Sequence, residues 1–122
     1  MTDLDGRRIG QLVASEFDAF DDGPRGRLDV VDADRDAEPS EEGTFAYAVR
    51  DAATGERLAR AVLYPDALRL ELAPDGEPAT VAREQGLRVW SASEHLVVAV
   101  ESGAHAKRVV PVLLAALDDD NA

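Results

Sequence analysis

Apolar residues recur along this chain with two different periods, and each change of period marks an element. Ile9, Leu12, Val13, Phe17 and Phe20 fall three and four apart, the spacing of one helical face, with Arg7, Arg8, Gln11, Ser15, Glu16 and Asp18 lying mostly off it. Thr2 or Asp3 supplies a cap at its start, and Gly23-Pro24 supplies a stop, glycine for a left-handed residue and proline to bar continuation. Arg27 to Val31 reads as a short edge strand. From Thr44 the period shortens to two. Thr44 to Arg50 sets Phe45, Tyr47 and Val49 on one face; Asp51 to Gly55 is turn chemistry; Arg57 to Tyr64 returns; Pro65-Asp66 turns the chain again. Ala67 to Leu72 alternates cleanly, Leu68, Leu70 and Leu72 inward and Arg69 and Glu71 outward, which completes an antiparallel meander.

The second half repeats the alternation of types. Ala73-Pro74-Asp75-Gly76 is a loop, and Pro78 to Gln85 forms two helical turns opened by proline and closed by Gly86, or else a polar strand. Leu87 to Ser91 is a strand with Leu87 and Val89 on one side and Arg88 and Trp90 on the other; Ser91 to Glu94 turns it into Leu96–Val100. That last stretch is the longest apolar run, rich in β-branched residues and too short for an independent helix, so it predicts a central strand covered on both faces. Behind a Ser102 cap, Ala106, Val109, Val110, Leu113 and Leu117 resume helical spacing. Pro111 interrupts them. Inside a helix it removes a backbone donor and clashes with the preceding turn, at about 3 kcal/mol. Either one helix kinks there, the reading adopted, or Lys107 to Val110 stays extended and a short helix starts at Pro111.

This order predicts an α+β domain, an antiparallel sheet of five to six strands with the N- and C-terminal helices packed on one face. A chain of 122 residues makes one domain, 1–122, with a core large enough to stand without disulfides or metal. Within it, residues 32–43 (DADRDAEPSEEG) are acidic and nearly free of large apolar side chains, and read as a flexible loop; the acidic tail 118–122 is expected to fray.

Charge changes the picture more than any motif. Asp and Glu number 25 against 13 Lys and Arg, a net charge of −12. Lys107 is the single lysine, Ile9 the single isoleucine, and the other basic residues are all arginine. Such a charge destabilises a compact chain by self-repulsion unless salt screens it. In this the whole chain resembles the small uncharacterised acidic proteins of halophilic archaea, which implies a working environment of molar salt but no activity. The same balance makes nucleic acid an unexpected partner, since no basic stripe is visible to replace counterions. There is no cysteine, no apolar run approaching a membrane span, and no basic-then-apolar start of a signal peptide, so a soluble cytoplasmic protein with no membrane partner is expected.

Candidate chemistry is sparse. Asp32, Asp34 and Asp36 have the spacing that opens a calcium loop, but Ala37 stands where the turn needs glycine and Gly43 where a glutamate should close the shell. His95 and His105, with Glu94 and Glu101 nearby, are the residues from which a hydrolase-like site or a metal site would have to be built, and no nucleophile accompanies them. No phosphate-cradling glycine loop or nucleophile elbow occurs, and no cofactor is expected. Tyr47, Tyr64 and Trp90 could be arranged as the aromatics of an RNA-binding sheet, but core packing explains Tyr47 more simply.

One inference exceeds these. If Leu87, Val89, Leu96, Val98 and Val100 face the helices, then Trp90, Val97 and Ala99 face the opposite side, which a two-layer domain leaves wet. Apolar surface there predicts a protein partner or a homodimer, with Trp90, Val97 and Ala99 as contact residues. The element order also resembles that of the small acidic dimeric chaperones of bacterial type III secretion, which implies the same kind of function, binding of protein. A non-enzymatic binding module is therefore the expectation, with the histidine-based enzyme as its alternative.

Overall fold

A computed structural model of the chain describes residues 6–18, 28–34, 36–72, 77–92 and 94–117. The cap at Thr2 or Asp3, Phe20, the Gly23-Pro24 stop, the loop at 73–76 and the tail 118–122 lie outside the described residues. Three helices and six strands follow one another as α1 (Gly6–Asp18), β1 (Leu28–Val31), β2 (Thr44–Asp51), β3 (Arg57–Tyr64), β4 (Ala67–Leu72), α2 (Pro78–Glu84), β5 (Arg88–Ala92), β6 (His95–Val100) and α3 (Gly103–Leu117). The sheet has the order β1-β2-β3-β4-β6-β5 and every pairing is antiparallel, so the domain is α+β as its periodicities predict. β6 lies between β4 and β5, one position in from the edge.

Register decides which face each side chain takes, because directly paired residues of neighbouring strands share a face. Leu68, Leu70 and Leu72 pair with Val100, Val98 and Leu96 on β6 and with Leu63, Ala61 and Ala59 on β3. All of these are buried, and they form the inner face on which the helices sit. Ile9, Val13 and Phe17 of α1 and Ala106, Val109, Val110, Val112 and Leu113 of α3 complete the core. α3 touches both α1 and α2, which is why its buried arc is wide enough to include Val112 beside the predicted stripe.

Local chemistry fixes the ends. The His105 N–H donates to Ser102 Oγ at 3.3 Å, the cap expected of Ser102. α3 then runs unbroken through Pro111, so the alternative of a helix beginning at Pro111 falls away. Pro78 opens α2, and Gly86, with φ 79°, closes it while Leu87 N–H reaches back to the Ala82 carbonyl at 3.0 Å. Gly6 starts α1 against the turn between β3 and β4, donating to the Pro65 carbonyl at 3.1 Å; a Cβ there would stand 1.9 Å from the Tyr64 carbonyl oxygen, so only glycine permits the approach.

The pairing of β2 with β3 departs from simple alternation twice, the second time between Val49 and Arg50, where Leu58 is skipped and Arg50 faces Arg57. A β-bulge between Phe45 and Tyr47 turns Phe45 to the outer face opposite Val62, while Tyr47 and Val49 stay inside. Phe45 does not share a face with Tyr47 and Val49 as the sequence pattern suggests, because the extra residue, Ala46, breaks the period of two. The buried Tyr47 hydroxyl donates to the Gly10 carbonyl of α1 at 2.8 Å, tying helix to sheet.

Candidate partner-binding face

The outer face of the sheet has no helix on it among the described residues. By register it carries Asp29 from β1, Phe45, Ala48 and Arg50 from β2, Arg57, Arg60, Val62 and Tyr64 from β3, and Arg69 and Glu71 from β4. Val97 and Ala99 of β6 and Arg88, Trp90 and Ala92 of β5 continue it, with Trp90 paired to Val97 and Arg88 to Ala99. The three predicted contact residues therefore do share this face. They differ in access. Trp90 is half-buried, whereas Val97 is 5% exposed and Ala99 2% exposed within the single chain.

Arginine side chains account for the difference. The Arg69 guanidinium carbon lies 4.2 Å from the centre of the Tyr64 ring and 5.1 Å from that of Trp90. Tyr64 is on β3 and Trp90 on β5, so Arg69 is held between two rings in a cation–π sandwich. Trp90 lies on the far side of β6 from Arg69, a span of about 10 Å at ordinary strand spacing, so the Arg69 stem and the Trp90 ring together bridge the strip that holds Val97 and Ala99. Arg88 approaches the Trp90 ring at 5.7 Å, and Arg60 approaches Phe45 at 5.3 Å. Trp90, Tyr64 and Phe45 are all half-buried, and they form the accessible aromatic part of the face.

The charges on this face are mostly paired. Arg50 meets Asp29 at 3.1 Å, Arg60 meets Glu71 at 3.1 Å and Arg88 meets Glu101 at 2.9 Å. Arg69 is different: among the described residues no carboxylate stands within ion-pair distance of it. So a protein of strongly negative net charge turns five arginines to one side of its sheet, Arg57 among them as the register partner of Arg50 and the ion partner of Asp32, a clustering that strand register creates and linear sequence hides.

The histidines are not brought together. His95 opens β6 and is exposed; His105 lies in the first turn of α3, beyond the other end of the same strand, so the two are separated by at least the length of β6, about 17 Å. His105 Nδ1 accepts from the Glu101 N–H at 3.3 Å, so its ring closes the helix start reciprocally with Ser102. The aspartates of the β1–β2 loop diverge too. Asp32 pairs with Arg57, and Asp34 Oδ1 accepts from the Asp36 N–H. Among the described residues no group of three or more potential metal ligands gathers. The same loop is anchored to the domain by Ala37, 5% exposed, and by Asp34 N–H bonded to the Ala46 carbonyl at 2.8 Å.

A cavity of about 410 Å³, which sequence reasoning did not anticipate, opens between α1, this loop and β2. Gly10, Ala14, Ala33, Ala37 and Ala46 line it, small residues that leave space, together with Tyr47, and exposed Arg7, Gln11 and Asp34 supply its polar groups. Neither histidine lines it, and Arg7 faces Glu38 at 3.7 Å. It offers room for a small body, apolar on most sides.

No helix among the described residues is long and apolar enough to cross a membrane. No curated protein and no solved structure matches the chain, so the likeness to secretion chaperones remains one of element order. Residues 2–122 match a family model described as a family of unknown function, DUF7993, and the chain belongs to that family.

Proposed function

We propose that the chain is a small, non-enzymatic protein-binding module adapted to brine in the cytoplasm of a halophilic archaeon, and that its contact surface is the outer face of the sheet around Trp90. One observation carries the reading: Trp90, Tyr64 and Phe45 remain half-exposed on a face that no helix among the described residues covers. Exposed aromatic groups interleaved with arginine are the composition of protein contact surfaces, where both residue types are enriched. Val97 and Ala99 act as the packed floor beneath, and Trp90 is the member of the predicted trio that a partner touches. A second copy of the chain is one such partner, and a different protein is the other.

The test is size-exclusion chromatography with light scattering in molar potassium chloride. It is run on the purified chain and on the tagged chain recovered from its own organism's extract, each as wild type and Trp90→Asp. The reading holds if the wild type travels in an assembly larger than one chain in either setting and the variant travels alone. It fails if the two behave alike in both.

A further inference from the structure

Granting that the outer face is the contact surface, we infer that its partner is a protein segment presenting one carboxylate flanked by apolar side chains, seated on Arg69 between Tyr64 and Trp90. The inference rests on the ion-pair arrangement of the face. Four of its five arginines already hold a carboxylate of their own chain, Arg50 with Asp29, Arg57 with Asp32, Arg60 with Glu71 and Arg88 with Glu101. Among the described residues Arg69 alone does not. Its guanidinium is instead held by two rings, at 4.2 and 5.1 Å. A guanidinium stacked on aromatic faces keeps its in-plane N–H donors for a carboxylate and has already lost much of its freedom, so pairing costs little further ordering.

The same arrangement discriminates among occupants. Binding along a phosphate backbone needs several unpaired cations in a row, and among the described residues this face offers one. Among the described residues, a symmetric contact between two copies through this face would bring Asp29 and Glu71, each already paired with an arginine of the neighbouring strand, to meet a second Arg69. A segment with a single Asp or Glu between apolar residues matches both parts of the site: the carboxylate takes the guanidinium, and its neighbours take the exposed edges of Tyr64 and Trp90.

Trp90 is the single tryptophan of the chain, so its fluorescence reports this site directly. The probes are the tripeptide N-acetyl-Leu-Glu-Leu-amide, its Gln counterpart, and a twelve-residue single-stranded oligothymidylate. They are titrated onto the full chain at the lowest salt that keeps it folded by circular dichroism. The expected result is a saturable change in Trp90 emission, with the Glu peptide favoured over the Gln peptide by about fivefold. Arg69→Met, checked for an unchanged far-ultraviolet spectrum, should abolish that preference, so that the two peptides titrate alike on the variant. Equal titration by the two peptides, the absence of any saturable change, or a preference that survives Arg69→Met overturns the assignment. Tighter saturation by the oligonucleotide than by either peptide overturns it in favour of nucleic acid. If the peptides fail while Trp90→Asp still releases the native assembly, the carboxylate assignment is wrong and the contact face stands.

Discussion

Removing the charge of Arg69, and then removing its stem, should lower stability in two separable steps. In Arg69→Met the chain keeps an unbranched apolar stem but loses both cation–π contacts, those to Tyr64 and Trp90. At about 0.5–1 kcal/mol for each contact at a partly exposed site, the loss is about 1–2 kcal/mol. In Arg69→Ala the stem goes too, and the floor of Val97 and Ala99, now 5% and 2% exposed, opens to water. Roughly 40 Å² of apolar surface at about 25 cal/mol per Å² adds about 1 kcal/mol. Urea unfolding at fixed potassium chloride, followed by the emission of Trp90, measures both. With a slope of about 1.5 kcal/mol per molar urea, the midpoint should fall by about 1 M for Met and by nearly 2 M for Ala. Arg83→Met on the exposed side of α2 is the control, expected within about 0.5 kcal/mol of wild type. Both Arg69 variants unfolding with the wild type would refute the sandwich. Equal losses in the two would refute the sheltering of Val97 and Ala99 by the stem.

The remaining expectations concern the fold and its environment. Pro111→Ala should stabilise the chain by about 1–2 kcal/mol, since a helix that already runs through position 111 regains a donor and loses a clash, read as a raised thermal midpoint; a lowered one means the ring's packing outweighs both. Gly6→Ala should cost about 3 kcal/mol or more, because the Tyr64 carbonyl 1.9 Å from the new Cβ is backbone and cannot step aside; a midpoint within a degree of wild type means α1 docks less closely. Leu70→Ala, at a fully buried position of β4, should cost about 2–5 kcal/mol by the same assay. The thermal midpoint of the wild type should climb as potassium chloride rises from tenths of molar to molar, as salt relieves a net charge of −12, and a flat response contradicts the brine reading.

How much of this the sequence disclosed follows the reach of its signals. Alternation in Leu68, Leu70 and Leu72 and the helical spacing of Ile9, Val13 and Phe17 are set by each element's own buried face, and so were legible. Phe45 was misplaced because a bulge is one extra residue whose only trace is a broken period, and Phe-Ala-Tyr alternates either way. The shared face of Trp90, Val97 and Ala99 followed from alternation within two adjoining strands. What covers Val97 and Ala99 did not, since Arg69 reaches Trp90 from a strand two positions away in the sheet and 21 residues away in sequence. Arginine clustering was hidden for the same reason: positions 50, 57, 60, 69 and 88 look scattered until register stacks them. The cavity beside α1 arises from small residues of three separate segments, none of them conspicuous alone.

The claim that partners meet this chain on its outer sheet face is tested most directly by site-specific photo-crosslinking. A benzophenone amino acid is placed at Ala92, exposed on β5 beside the face, or at Lys107, exposed on α3. Each chain is then irradiated in molar salt within the organism's own extract. The account predicts a discrete product heavier than the single chain from position 92, lost in the Trp90→Asp background, and none from position 107. Products from position 107 alone, or equal products from both, would place the contact elsewhere.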